Sequence, residues 1–195
     1  TPDFIPIQPE ADVIVRGDDF GGFYVSASLD GTRPGVFYAN VSGQGERYQM
    51  RSLAYHEAVP GHHTQLAIQQ EMALPTFRQL ASFTGYIEGW ALYAERLAYE
   101  QGWYEDDPYG NLGRLQFEAW RAARLVVDTG IHAKGWTFDE AVAFLSETSG
   151  LNRDFASNEI ARYVVWPGQA TAYMTGMLEI LRLREAAGEA GPIRL

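Results

Sequence analysis

Residues 56–63 read His56-Glu57-Ala58-Val59-Pro60-Gly61-His62-His63, and one further histidine, His132, lies outside this stretch. Imidazole nitrogen is a preferred ligand for zinc. A glutamate next to such a ligand can accept a proton from water activated by the ion. The stretch therefore predicts a hydrolytic metal site. Its rival is a loop with surface histidines, which a lone His-Glu pair would favour but three histidines around a Pro-Gly bend do not.

The spacing constrains the backbone. In the short zincin motif His-Glu-x-x-His, the two histidines are about 6 Å apart along the helix axis. Here His62 follows His56 by six residues and His63 follows it by seven. On a regular helix those separations are roughly 9 and 10.5 Å, too far to clasp one ion. The helix must break between them. Pro60 lacks an N–H, and its ring would clash with the His56 carbonyl. Gly61 then permits an unusual dihedral. His62, directly after Gly61, is the preferred second ligand, with His63 as the alternative.

A catalytic zinc usually takes three protein ligands and keeps one position open. The stretch from Phe83 to Glu95 reads as a mostly apolar helix. Glu88 and Glu95 share one face of it, offset by only about 20°. Two carboxylates on an apolar face are costly to bury unless a cation or donors compensate them. Glu88 is thus the expected third ligand, and Glu95 the acceptor that orients a histidine ring. Ordinary surface pairing, with Arg96 nearby, is the alternative. Gly85 and Gly89 flank Glu88 and admit a close backbone neighbour.

HEAVPGHH (56–63), YIEGWALYAERLAYE (86–100), WRAARLVVDTGIHAKGW (120–136) and RYVVWPGQATAYMTG (162–176) together resemble a large, mainly bacterial family, domain of unknown function 885. The resemblance covers nearly the whole chain. It implies a mostly helical, zinc-metallopeptidase-like protein of the gluzincin kind, distantly similar to the oligopeptidase and carboxypeptidase groups. In those groups the third ligand is a glutamate with a second glutamate seven residues on, as Glu88 and Glu95 are placed. A late tyrosine there steadies the oxyanion, which points to Tyr173, with Tyr163 as the other candidate. The resemblance also tilts His132 toward a site role, against interaction with free carbonyls at a helix end. The Pro-Gly spacing after His56-Glu57 departs from the gluzincin pattern. Family proteins are longer, with a helical region upstream. The chain is therefore expected to be a C-terminal catalytic fragment whose upstream region is its partner.

Composition narrows the partners. A net charge of −10 argues against nucleic acid and anionic membrane surfaces. There is no cysteine, hence no disulfide framework and no thiolate metal site. Compartment stays open between cytoplasm and periplasm or export. No apolar run approaches the roughly 20 residues that span a bilayer. The 195 residues suffice for one domain with a sizeable core.

The expected fold is mainly α within the α+β class, a multi-helix zincin-like domain with a small N-terminal antiparallel β segment. Residues 1–48 form the β-rich part and 49–187 the helical metal-site region. Strand-like runs are Val13–Val15, Gly22–Val25 and Val36–Ala39, and the run from Val36 to Val41 is the candidate edge for an extended substrate. Helices are expected from near Gln49 to Met72 around the bend, and from Thr76 to Gln101 with a break near Phe83. Others are expected at Tyr109–Val127, after a Thr137–Glu140 capping box, at Asp154–Val164, and from Pro167 to about Ala187. The tail 188–195 is expected to fray. Arg121, Arg124 and Arg162 are candidates to bind a carboxylate, with Arg162 preferred and Gln169 beside it. Trp90, Trp120, Trp136 and Trp166 read as core.

The expected activity is zinc-dependent hydrolysis of a peptide or small amide. His56, His62 and Glu88 hold the ion, Glu57 is the base, and Tyr173 or His132 steadies the intermediate. A metal- or ligand-binding domain without turnover is the alternative from another class, and a hydrolase of a non-peptide amide or ester is a third.

Overall fold

The β-prone runs at the start of the chain pair as a three-stranded sheet of β1 (Val13–Asp18), β2 (Phe23–Val25) and β3 (Gly35–Asn40). The computed structural model describes residues 13–18, 22–40 and 46–189. Strand order is β1-β3-β2. β2 and β3 pair antiparallel, with Phe23 opposite Tyr38 and their rings stacked at 4.7 Å. β1 pairs parallel to β3, Val13 opposite Gly35, so the sheet is mixed and not wholly antiparallel. This arrangement overturns the choice of the Val36–Val41 run as a substrate edge. β3 already has a neighbour on both sides, which uses the backbone groups an extended peptide would need. Val41 lies outside the described residues. β2, with β3 on one side only among the described residues, has Phe23 and Tyr24 on the wall of the large cavity described below.

The remainder is helical: α1 (Met50–Glu57), α2 (His62–Glu71), α3 (Thr76–Leu80), α4 (Thr84–Glu100), α5 (Pro108–Lys134), α6 (Phe138–Ser149), α7 (Arg153–Val165) and α8 (Ala172–Glu189). Local chemistry explains several boundaries. Asp107 caps α5 by accepting from the Gly110 amide at 2.8 Å, with Pro108 at the first helical position. Thr137 and Glu140 form the expected capping box, and Gly135 and Gly150 close α5 and α6 in the left-handed conformation.

Three expectations shift. α5 runs on to Lys134, seven residues past Val127, because Gly130 does not end it. A Cβ at Gly130 would lie 2.5 Å from the Trp136 indole, so this glycine makes room for a packed ring. α8 begins at Ala172, after a 3-10 turn at Gln169–Thr171, not at Pro167. Trp166 is 61% exposed beyond the last turn of α7 and is no core residue. Residues 190–195 of the tail expected to fray lie outside the described residues.

Two apolar clusters hold the helices. Val127 of α5, Leu145 of α6 and Ile160 of α7 centre one, and Leu92 of α4 with Met177 of α8 centre the other. The α4–α8 pair crosses backbone to backbone. A Cβ at Gly89 would lie 2.5 Å from the Gly176 Cα, and one at Gly176 would lie 1.8 Å from the Gly85 carbonyl oxygen. The glycines that flank Glu88 are there for this crossing, as expected, and the visitor is α8. Among the described residues, no helix is long and apolar enough to cross a membrane.

Candidate metal centre

α1 ends at Glu57 and α2 starts at His62, so Ala58–Gly61 is the break the spacing demanded. A Cβ at Gly61 would lie 1.8 Å from the His56 carbonyl oxygen. Only glycine lets the chain fold back this closely on the end of α1. The return brings the His56 and His62 rings to 4.9 Å between centroids, edge to face.

α4 supplies the third group. Glu88 Oε2 lies 3.7 Å from His56 Nε2 and 3.5 Å from His62 Nε2. One ligand atom from each of His56, His62 and Glu88 falls within 4.8 Å of the others. One turn pair further along α4, Glu95 Oε1 accepts a hydrogen bond of 2.7 Å from His56 Nδ1. That bond holds a proton on Nδ1, so Nε2, on the Glu88 side, is the nitrogen that would ligate an ion in place of a proton. Two imidazoles and a carboxylate, with a second carboxylate behind one ring, suit zinc with a position left open. His62 Nδ1, Glu57 Oε2 and Glu95 Oε2 are buried without a hydrogen-bond partner among the described residues.

His63 faces elsewhere. Its Nδ1 shares a 2.9 Å hydrogen bond with the Tyr24 hydroxyl of β2, so the sheet, not the cluster, receives this ring.

The electrostatics favour a cation. Burial works against the His56 imidazolium, yet the facing carboxylates of Glu88 and Glu95 and the charge of Glu57 outweigh it, and its pKa rises to about 9. Burial likewise opposes the Glu88 carboxylate, but His56 and His62 hold it well below the usual range. The facing carboxylates thus make positive charge favourable at this point of the pocket.

His56, Glu57, His62 and Glu88 line a cavity of about 700 Å³ together with Tyr173, Arg121, Arg124 and Arg162. Tyr173 stacks toward His56, with ring centroids 6.3 Å apart and planes 23° apart. Burial first, then the Glu88 charge, raises its pKa against the opposing Arg124, Gln169 and Arg121, so the phenol keeps its proton as a donor. Gln169 Nε2 donates to the Tyr173 hydroxyl at 3.2 Å, and its Oε1 accepts from Arg162 Nη1 at 2.8 Å.

Three expected site residues have other partners. His132 Nε2 donates to the Tyr163 carbonyl at 3.0 Å, at the C-terminal turn of α7, where that carbonyl also accepts from the Trp166 amide. The Tyr163 hydroxyl donates to Glu159 at 2.8 Å and accepts from Trp120 Nε1 at 3.1 Å, inside the α5–α7 core. Arg162 lines the cavity, but its guanidinium is committed to both Glu159 oxygens and to Gln169. The structure thus replaces Arg162 with Arg121 and Arg124 as the arginines available to an anion. Sequence reasoning also missed Glu159, the shared acceptor of this network. It missed Asp128 too, whose carboxylate accepts from the left-handed Gly168 amide at 3.1 Å and anchors the turn that presents Gln169. The Glu159–Arg162 spacing of three residues was the one available signal.

The family described as "Bacterial protein of unknown function (DUF885)" matches residues 11–192. No curated protein matches the chain. Among the solved structures that resemble it are two described as a "putative lipoprotein". The one from Colwellia psychrerythraea is 45% identical, with a TM-score of 0.90, and the match covers 93% of this chain and 33% of that one. The one from Shewanella oneidensis, of unknown function, is 23% identical with a TM-score of 0.80, covering 97% of this chain and 37% of that one, and shows the shared fold. The chain therefore spans about a third of the length of these relatives.

Proposed function

We propose, from the premise that this chain belongs to the DUF885 family of bacterial proteins, that it carries the site of a zinc-dependent hydrolase of amide bonds, peptides foremost. One observation carries the reading: His56, His62 and Glu88 bring three ligand atoms within 4.8 Å of one another on the wall of a cavity that Glu57 also lines. When bound, zinc supplies Lewis acidity toward an amide carbonyl and toward water.

The chain's own residues supply the rest. Glu57 accepts the proton of the attacking water and returns it to the leaving nitrogen. The Tyr173 phenol, turned toward the site by Gln169, donates to the oxyanion that develops on the former carbonyl. Glu95 holds the His56 ring in the tautomer that ligation needs. The description of the Colwellia relative supports an exported location for this chain as well.

The test uses the full-length protein that carries this sequence. Calorimetric titration is expected to give one zinc per chain. Hydrolysis of a mixed peptide library is expected to vanish on chelation and return with zinc. The His62→Ala variant is expected to lose tight zinc binding while His63→Ala keeps it. Hydrolysis that survives complete removal of metal would overturn the reading.

Glu95→Gln gives a finer prediction. The amide can still accept from His56 Nδ1, but the charge is gone. Zinc affinity is expected to fall by about 10–100-fold, measured by competition with a chelating dye. Unchanged affinity would show that Glu95 serves packing alone.

A further inference from the structure

The cavity sets two buried guanidiniums with unpartnered nitrogens beside the carboxylates of Glu57, Glu88 and Glu159. Arg121 and Arg124, one turn apart on α5, both line it and are 5% and 2% exposed. Their guanidiniums lie on aromatic faces. Arg121 Cζ is 4.2 Å from the Trp120 ring centroid, and Arg124 Cζ is 4.2 Å from that of Tyr173.

Aromatic faces do not replace hydrogen-bond acceptors. Nε and Nη1 of Arg121, and Nε and Nη2 of Arg124, are buried with no hydrogen-bond partner among the described residues. Arg124 approaches Glu159 at 3.7 Å, but that carboxylate already accepts from Arg162 at 2.7 Å and from Tyr163 at 2.8 Å. The buried Arg114 shows the ordinary solution, bonded to Glu118 at 2.8 Å and Asn111 at 2.9 Å. Two buried like charges side by side repel each other and lack solvation. A ligand anion removes both costs, and guanidiniums suit a planar carboxylate in particular.

The pair is coupled to the metal centre through one ring. Tyr173 stacks toward His56 on one hand and carries the Arg124 guanidinium on the other. An anion seated on the arginines therefore lies in the same cavity as His56, His62 and Glu88, with Tyr173 in contact with both groups.

We propose that Arg121 and Arg124 seat a carboxylate of the substrate, so that the site acts on amides bearing a carboxylate close to the scissile bond. The inference rests on the hydrolase reading for its chemistry, though not for its anion. The carboxylate has two sources, a peptide's free C-terminus or an acidic side chain, and the same guanidiniums would recognise both.

The experiment measures binding by calorimetry to the full-length Glu57→Gln protein in zinc, which separates recognition from turnover. Two probe pairs distinguish the sources: acetyl-Ala-Ala-Ala against its C-terminal amide, and acetyl-Ala-Glu-Ala-amide against acetyl-Ala-Gln-Ala-amide. At least one pair is expected to show about 30-fold tighter binding of the carboxylate member. That ratio is expected to fall toward one in Arg121→Gln and Arg124→Gln and to recover in part with lysine at either position. The lysine variants keep the inference falsifiable should glutamine disturb folding, which circular dichroism reports. Equal binding within both pairs, or a ratio that the arginine variants leave unchanged, overturns the proposal. A carboxylate preference without cleavage by the Glu57 protein sinks the hydrolase reading and leaves the anion site standing. Cleavage without any preference does the reverse.

Discussion

Glu57→Gln is expected to lower kcat/KM of the zinc-loaded protein by about 10²–10⁴-fold while zinc binds as before. Glu57 closes α1, one residue after His56, and is buried. Its Oε2 has no hydrogen-bond partner among the described residues, so nothing there competes for the proton it would take. Glutamine keeps the shape and the burial but cannot accept that proton. The three ligands are untouched, so zinc stoichiometry by calorimetry should stay at one. Single-turnover kinetics beside that titration separate the two effects. Full turnover in the variant would remove Glu57 from the chemistry, and loss of zinc would move it into the ligand set.

Gly176→Val is expected to produce the largest loss of stability. The added Cβ alone would lie 1.8 Å from the Gly85 carbonyl oxygen and 2.9 Å from the Gly89 Cα. Backbone cannot yield as a side-chain tip does, so α4 and α8 must move apart. Overpacking of this kind costs about 3 kcal/mol or more, which at this chain length lowers Tm by roughly 6–12 °C. Glu88 and Glu95 ride on α4 and Tyr173 on α8, so zinc affinity should fall with stability. Gly188→Ala is the internal control. It lies in the same helix with nothing within 4 Å of the added carbon, and should leave Tm unchanged or slightly higher. Thermal unfolding followed by circular dichroism measures both. A Gly176→Val protein melting within about 2 °C of the parent would show that the crossing tolerates separation.

Much of the candidate site was legible because its logic is local. The ring-to-ring approach of His56 and His62 follows from Pro60 and Gly61, both of which act on the backbone where they stand. Glu88 and Glu95 share a helix face, so their common orientation toward His56 needed only the helical period. Helix caps at Thr137 and Gly150 were legible for the same reason.

What could not be seen depended on contacts distant in sequence. The parallel pairing of β1 with β3 leaves no trace in either strand's pattern. The run of α5 past Gly130 goes with Trp136, packed against that glycine from beyond the helix end. Arg162 and Arg124 are alike as residue types, and only the position of Glu159 decides which guanidinium is spent within the protein. The family resemblance drew His132 and Tyr163 toward the site, whereas the fold uses them to tie α5 to α7.

The histidine doublet is no spare pair. Successive side chains on a helix diverge by about 100°. With His63 hydrogen-bonded to Tyr24 of β2, His62 is the imidazole that faces Glu88. Swapping one for the other would mean twisting the whole rod and tearing it from the sheet. Three residues of β-structure thus help decide which imidazole meets Glu88.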